Sequence, residues 1–330
     1  MRAYIIRRLL LIIPTVFMVS IIIFFLVRFI PGSIVDAMVG QQMMGGGGSV
    51  ALDRAVIEHE LGLDVPILTQ YGRWIGVWPG EDGSFSGIFQ GDLGTSLWKD
   101  TPVLEEIAAR WPVTLELGLM GLIIAQLIAL PIGIYSALRQ DTWGDYIGRS
   151  FAILCIAVPG FWLATIIIVF PSIWWGYSPP IMLIRFTEDP IGNLRMFIVP
   201  AIVLGMAISG STMRMTRTMM LEVLRQDYIR TAWAKGLRER VVILRHALKN
   251  ALIPVITVIG YWVPVMIGGT VIIEQIFGLP GMGRLLLDAT QNRDYTIVSG
   301  VTLIFAFGMV FINLMIDLTY AYLDPRVHYK

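Results

Sequence analysis

The sequence predicts an all-α integral membrane protein. It should have six transmembrane helices, a large extracytoplasmic loop after the first, and a cytosolic helix between the fourth and fifth. Three observations carry that prediction. Hydrophobic residues make up 56% of the 330 positions and charged residues only 15%, with a mean hydropathy of +0.71. A soluble domain carries about a quarter charged residues, so much of this surface meets lipid. Uncharged apolar runs at or near the ~20 residues that cross a bilayer recur at 9–27, 117–138, 150–184, 196–213, 250–273 and 295–316. The Lys and Arg residues gather at alternate ends of these runs, and the excess of positive charge marks the cytosolic side.

Arg2, Arg7 and Arg8 precede the first run. That run is longer than the apolar core of a signal peptide, and no small-x-small cleavage pattern follows, so it reads as a retained first helix. The third run is long enough to raise the question of two spans. It holds Pro159, Pro171, Pro179 and Pro180, and its tail Trp174-Trp175-Gly176-Tyr177 has the look of an interfacial aromatic belt before a turn. One helix ending near Pro171, followed by an outside loop, fits best. With the N-terminus inside, the cytosolic cations are Arg2, Arg7, Arg8, Arg139, Arg149, the cluster from Arg214 to Lys249, Arg326 and Lys330, which is most of the 25. Six spans put both termini in the cytosol. Boundaries follow: 1–30 for the N-terminus and first helix, 31–112 for an extracytoplasmic loop domain, 113–323 for a core of five helices with a cytosolic loop at 214–250, and 324–330 for a cytosolic tail.

The loop domain begins with Gly45-Gly46-Gly47-Gly48-Ser49, a flexible insert. No Gly-Lys-Ser/Thr follows it, so it does not read as a phosphate cradle. Residues 51–61 and 68–74 have helical patterning, and 87–96 is rich in turns. Thr101, Pro102, Glu105 and Glu106 then form a helix-start signal: a cap, a proline at the first position and acids in the first turn. Between the last two spans, Phe277-Gly-Leu-Pro280-Gly281-Met282-Gly283 forces a tight reversal ahead of a short helix. Irregular backbone at membrane depth survives only when protein buries it or it lines a cavity, so this turn is expected near the outer end of a pathway.

Several classes of chemistry find no support. Cys155 is the single cysteine and lies in an apolar run, so no internal disulfide or cysteine metal site is expected. His59, His246 and His328 are scattered and lie outside the spans, and there is no His-Glu-x-x-His. No metal site, no catalytic residue and no intramembrane hydrolase is expected. A net charge of +1 gives no sign of a nucleic-acid partner.

The segment 228–254 is basic, helix-prone and set between two apolar runs. Ile229, Trp233, Leu237, Val241 and Leu244 recur at helical spacing and predict one face, with Arg230, Arg238 and Glu239 off it. Gly236 is unfavourable in a helix by ~1 kcal/mol against Ala, so a break between two short helices is expected there. Such a segment can rest on anionic lipid or dock a cytosolic protein.

Here a resemblance enters. Arg230-Thr231-Ala232, three residues, then Gly236 resembles the Glu-Ala-Ala…Gly loop of type-1 ABC importer permeases. The string Asp227-Tyr-Ile-Arg-Thr-Ala232…Ala234-Lys-Gly-Leu237, followed by Arg245-His-Ala-Leu-Lys-Asn-Ala-Leu-Ile-Pro254, is similar to the dipeptide, oligopeptide and nickel branch. Gly91-Asp-Leu-Gly-Thr-Ser96, Pro280-Gly-Met-Gly283, Arg293-Asp-Tyr295 and Leu323-Asp-Pro-Arg326 extend it over nearly the whole chain. The long loop after the first span resembles the first, B-type, permease subunit of that branch. Arg230 stands where the general motif has Glu, and His246-Ala-Leu-Lys249 replaces Ile-x-Leu-Pro. Both departures suit the peptide branch, and neither leaves an acid at 230 to dock a partner.

The resemblance implies a coupling helix seated in a cytosolic ATPase. Tyr228, Arg230, Thr231, Ala232, Trp233, Lys235, Gly236, Leu237 and Arg238 are the candidate coupling residues. Trp233 and Leu237 would anchor by packing, on the partner or on this chain's own bundle. It also implies the rest of the machine: a second homologous permease, two ABC ATPase subunits that bind ATP and Mg, an extracytoplasmic solute-binding protein, and a bacterial or archaeal cytoplasmic membrane around it. The chain has no Gly-x4-Gly-Lys-Ser/Thr, so hydrolysis falls to the partners. Polar residues at membrane depth are costly and mark candidate pathway positions. These are Gln126, Ser209, Ser211, Thr212, Asn313 and Asp317, with Glu274 at the outer end of the fifth span. Asp317 lies near the cytosolic end, where a structural role is favoured. The cargo implied is di- or oligopeptides, with nickel chelates, glutathione or another small solute as alternatives, selected mainly by the external binding protein. An ATP-independent secondary transporter is the rival of another class; the docking segment and the lack of an evident inverted repeat weigh against it.

Overall fold

The computed structural model of the chain describes residues 2–29, 35, 58–59, 62–80, 82–176, 178, 180 and 182–323. The glycine insert at 45–48, most of the helix-like stretch 51–61, and the tail 324–330 lie outside the described residues. Among these residues the fold is all helical, apart from one isolated bridge between Thr95 and Pro102. Among the described residues five helices are long and apolar enough to cross a membrane, or up to seven if each of two sharply bent pairs is one span.

The helices run as α1 (Arg2–Arg28), α2 (Ile67–Ile75), α3 (Val103–Leu138), α4 (Trp143–Ala157), α5 (Gly160–Trp175) and α6 (Pro190–Leu224). There follow α7 (Asp227–Ala234), the short α8 (Glu239–Val241), a π-helical stretch Val242–Ala247, α9 (Leu248–Phe277), α10 (Met282–Gln291) and α11 (Tyr295–Leu323). By contact they divide into two compact units. Pro112–Arg284 with Phe311–Lys330 form one, and Arg2–Trp111 with Leu285–Val310 the other.

In the first unit α6 is the spine, packed along α4 and α9. Lipid offers no hydrophobic drive between helices, so small residues that let backbones close on each other do that work. A Cβ on Gly205 would lie 2.6 Å from the Gly121 carbonyl oxygen, and one on Gly210 would lie 2.7 Å from that of Ala152. Around those contacts lie Leu117, Ala164, Phe197 and Ile273 at one end, and Ala137, Met220, Ile229 and Val242 at the other. Asp189 starts α6 by accepting from the Ile191 and Gly192 amides at 3.1 and 3.0 Å, with Pro190 as first residue. The helix runs past the uncharged stretch 196–213 that marks it in the sequence.

One expectation is corrected. The run at 150–184 does not form a single helix ending near Pro171. It is two helices, α4 and α5, that meet at 91°. Pro159 disfavours the helical region for the residue before it, and Val158 accordingly sits at φ −81, ψ 120. Pro171 stays inside α5, which ends at Trp175 against a left-handed Gly176. Tyr177 and Pro179 of the expected outside loop lie outside the described residues.

Three turns are each closed by a buried carboxylate. Glu274, in the last turn of α9, is fully buried. Its Oε1 accepts from Thr114 Oγ1 at 2.7 Å and its Oε2 from the Arg284 amide at 3.0 Å, while Thr114 Oγ1 itself accepts from the Met282 amide at 2.8 Å. The Pro280-Gly-Met-Gly283 string is thereby explained. Any Cβ on Gly281 would fall 2.3 Å from the Glu274 carboxyl carbon, and one on Gly283 would fall 2.4 Å from Val271 Cα. Asp145, also fully buried, accepts from Arg217 Nε and Nη2 at 2.7 and 2.8 Å and from the Asp141 amide at 3.0 Å. It fixes the α3–α4 turn on α6.

The third carboxylate belongs to the second unit. Asp294 accepts from Ser96 Oγ at 2.6 Å, from the Leu97 amide at 3.2 Å and, as cap of α11, from the Ile297 amide at 3.2 Å. Trp98 Nε1 adds a bond to the Asn292 carbonyl at 2.7 Å. The Gly91–Ser96 and Arg293–Tyr295 strings, almost two hundred residues apart, are thus two halves of one joint. In the same unit Tyr71 of α2 packs edge-on to Phe24 of α1, and its hydroxyl meets Ser20 Oγ at 2.8 Å.

Two contrasting pairs of outcomes follow for purified protein in mild detergent. Asp145→Ala leaves Arg217 without its carboxylate and should cost on the order of 3 kcal/mol, read as a lower thermal midpoint. Arg149, 3.5 Å from the same carboxylate and 38% exposed, should tolerate Arg149→Ala with less than ~1 kcal/mol lost. Gly283→Ala should cost at least ~1–3 kcal/mol by overpacking. Gly268→Ala, inside α9 with open space at its Cβ, should not lower the midpoint.

Candidate functional site

α7 is a short amphipathic helix held down on one side. Ile229 is fully buried and Ala232 nearly so; they pack with Val242, Ile243, Ala247, Met220 and Ala137. Thr231 Oγ1 bonds the Asp227 carbonyl at 2.9 Å, and Asn250 Nδ2 ties the Tyr228 hydroxyl at 2.8 Å while also holding the His246 carbonyl at 3.1 Å. The helix stops where the sequence predicts a break. Gly236 has φ +73, a left-handed conformation that a glycine adopts without a Cβ penalty.

That break overturns the single apolar face drawn through 229, 233, 237, 241 and 244. A periodicity count assumes continuous helix, and the turn at Gly236 resets its phase. Of the five, only Ile229 is buried. Trp233 is 45% exposed and Leu244 49%, with Leu237 and Val241 each at 37%. The buried stripe is Ile229, Ala232, Val242, Ile243 and Ala247 instead. Trp233 and Leu237 are therefore not consumed by this chain's own bundle. Ala232 is the one candidate coupling residue that faces inward.

Tyr228, Arg230, Thr231, Lys235, Gly236 and Arg238 are exposed beside Trp233 and Leu237. Arg230 Nη1 lies 3.5 Å from Asp227 Oδ1, an exposed pair worth little. The surface has large apolar groups ringed by cations. Such a surface can offer apolar contact and positive charge to another molecule.

The candidate pathway residues are not gathered into one site. Ser209 is fully buried and its hydroxyl donates to the Met206 carbonyl at 2.7 Å, while Ser211 donates to the Ala207 carbonyl at 3.3 Å. Gln126 has both amide atoms buried with no hydrogen-bond partner, as does the Thr212 hydroxyl. Asn313 is exposed on α11. The side chain of Asp317 lies outside the described residues. Glu274 points into the turn it closes, not into open space. Sequence reasoning missed Thr114, Ser96, Asp145 and Arg217 as positioning residues. The signal for the first was an acid ending an apolar run just before Gly-Leu-Pro-Gly-Met-Gly, whose partner is distant in sequence. Among the described residues no cluster of His, Cys, Asp and Glu has the form of a metal site.

Residues 129–329 match the family described as binding-protein-dependent transport system inner membrane component, and residues 1–118 match the N-terminal family of the same membrane components. A protein of Brucella suis biovar 1 (strain 1330), whose name describes a peptide transport system permease, is 40% identical over 329 residues, covering all of both chains. The glutathione transport system permease protein GsiC of Salmonella paratyphi A is 34% identical over 327 residues, covering 99% of each. A crystal structure of an amino acid ABC transporter with histidines shares the fold, with a TM-score of 0.52 at 13% identity over 66% of this chain and 94% of that one. A membrane protein built of long apolar helices, with exposed apolar and basic groups on α7 between two of them, this chain belongs to the family of binding-protein-dependent transport system inner membrane components.

Proposed function

We propose that the chain is the first of two homologous permease subunits in an ATP-driven importer of di- or oligopeptides. The observation that carries this is the face left bare at α7. Ile229 and Ala232 seat the helix rigidly, yet Trp233, Leu237, Val241 and Leu244 stay exposed beside Arg230, Lys235 and Arg238. Contiguous exposed apolar groups with a polar rim mark a protein interface. Tyr228, Arg230, Thr231, Trp233, Lys235, Gly236, Leu237 and Arg238 would meet the groove of a cytosolic ABC ATPase, with Ala232 as part of the seat. Two such ATPase subunits bind ATP and Mg, and their closure rocks the bundle between two states. An extracytoplasmic solute-binding protein delivers the cargo.

In this reading the chain crosses the membrane six times: five long apolar spans and the bent pair α4–α5. The second bent pair, around Gly278–Gly281, is a turn at the outer side. Both termini lie in the cytosol. Residues 31–112 form the extracytoplasmic loop domain, 113–323 the permease core and 324–330 the tail. Gln126, Ser209, Ser211, Asn313 and Asp317 remain the pathway candidates, and Glu274 shapes the turn beside it.

Peptide cargo is supported by the relative from Brucella suis, and glutathione, a second reading, by GsiC. Reconstitution with partner subunits in vesicles separates them, with labelled dipeptide, oligopeptide, glutathione and nickel chelate offered in turn. Uptake should require ATP and the binding protein. Trp233→Asp should lower it by about tenfold or more with an unchanged thermal midpoint, as for an aromatic anchor at the centre of an interface. Gly236→Pro should lower uptake as well, by distorting the turn, since proline is confined near φ −65 and Gly236 sits at +73. Uptake that persists without any ATPase would identify a secondary transporter instead.

A further inference from the structure

The stretch Val242–Ala247, between α8 and α9, is wound as a π-helix, and among the described residues it is the one such stretch. Hydrogen bonding changes register along it. The Val242 amide donates to the Arg238 carbonyl, four residues back, at 3.1 Å. The Leu248 amide donates to the Ile243 carbonyl, five residues back. The turn therefore holds one residue more than an α-helical turn. Single π turns of this kind are rare and recur at functional sites.

The extra residue decides what is buried. Val242 and Ala247 are both fully buried and belong to one apolar cluster. Five positions apart, they would lie ~140° from each other around an α-helix, at ~100° per residue. An i→i+5 turn sets them one above the other instead. Ala251, of the same cluster, continues the stripe into α9 at a step of four.

What rests on this turn is α7. Ile229 and Ala232 complete the cluster, so the seat of α7 is the widened turn itself. Asn250, in the first turn of α9, bridges the two elements. Its Nδ2 donates to the Tyr228 hydroxyl at 2.8 Å and to the His246 carbonyl at 3.1 Å. α7 thus touches both the π turn and the helix beyond it, while the chain joining them passes through the left-handed Gly236.

We propose that the π turn is the movable joint through which α7 drives α9, passing between π and α winding, and that Asn250 is the positioning residue clasping Tyr228 to it. The inference rests on the reading of α7 as the dock of an ATPase. Rewinding to α hands one residue to the turn at Gly236 or rotates α8 against α9 by ~100°, and either moves α7 over its seat. A discrete change of this kind is a two-state element that both the dock and the bundle can bias. α9 packs along α6 and carries the change inward.

The importer, reconstituted in vesicles with its partner subunits, tests this. Deleting Arg245, an exposed residue of the π turn, brings Val242 and Ala247 to the α-helical spacing of four. The deletion should keep the ATPase subunits through purification at an unchanged thermal midpoint. It should lower ATP-driven peptide uptake by about tenfold, within the usual span of coupling between sites. Arg245→Ala, which keeps the residue count, should transport as the wild type does. Asn250→Ala should lower uptake by about fivefold with the ATPases retained, and Tyr228→Phe should bring no further loss in that background. In the wild type, amide exchange across 243–248 should differ by about tenfold between the nucleotide-free state and one held by a non-hydrolysable ATP analogue. That measurement decides the matter should the deletion not fold. Full uptake by the deletion, equal loss in Arg245→Ala, or exchange that ignores the nucleotide overturns the joint. Full uptake by Asn250→Ala, or a further loss on adding Tyr228→Phe, overturns the clasp. Wild-type protein that retains no ATPase overturns the docking reading instead.

Discussion

Lipid supplies no hydrogen bonds, so a chain that interrupts its helices near a membrane must satisfy the freed groups from within. Three of the breaks in this fold answer that constraint in one way. The turns at 139–142, at 278–281 and at 292–294 each carry a carboxylate withdrawn from solvent: Asp145, Glu274 and Asp294. Each gathers at least one backbone amide of its own turn or of the helix that follows. Each also takes a side-chain donor from a distant segment, respectively Arg217, Thr114 and Ser96. One group thus ends a helix, aims the next and staples the result to a third element. The α7 surface inherits its position from this arrangement, because Asp145 holds the α3–α4 turn to α6, and α6 leads directly into α7.

Helix type and apolar length were legible because they are local. A run of uncharged residues long enough to cross a bilayer reads the same in any context. The turn at Pro280–Gly283 and the break at Gly236 were equally local, since proline and glycine act on their own backbone. Direction was not legible. Hydropathy across 150–184 is blind to the right angle at Val158, although Pro159 carried the physical cause. The face of the docking segment was misread for a related reason: a periodicity counted through Gly236 assumes a helix that the glycine ends. The carboxylate joints were hidden by distance, as Thr114 and Glu274 are 160 positions apart and Ser96 and Asp294 are 198.

The proposed docking face and the transport reading support each other through what α7 leaves undone. A membrane helix bundle that needed its amphipathic loop only for closure would bury Trp233 and Leu237. Here the small Ala232 and the β-branched Ile229 are sufficient for that, and the larger groups stand outward. Family membership explains why the peptide-branch strings lie where they do. Gly91–Ser96 and Arg293–Tyr295 build one joint, Pro280–Gly283 wraps Glu274, and Arg245–Asn250 carries the π stretch into α9. Their side chains act on this chain's own backbone, so they describe a scaffold and not a specificity.

The elbow at Val158–Pro159 has a further geometric meaning. Its arms have 15 and 16 residues, or about 23 Å each at ~1.5 Å per residue. Joined at 91° they reach roughly 33 Å from tip to tip, close to the ~30 Å of a hydrocarbon core. Two arms, each leaning far from the membrane normal, can thus accomplish one passage that neither completes upright. A leaning passage leaves a wedge on its inner side, within the bilayer, which a straight helix would fill with its own side chains. Something else has to occupy that wedge: acyl chains or a neighbouring helix.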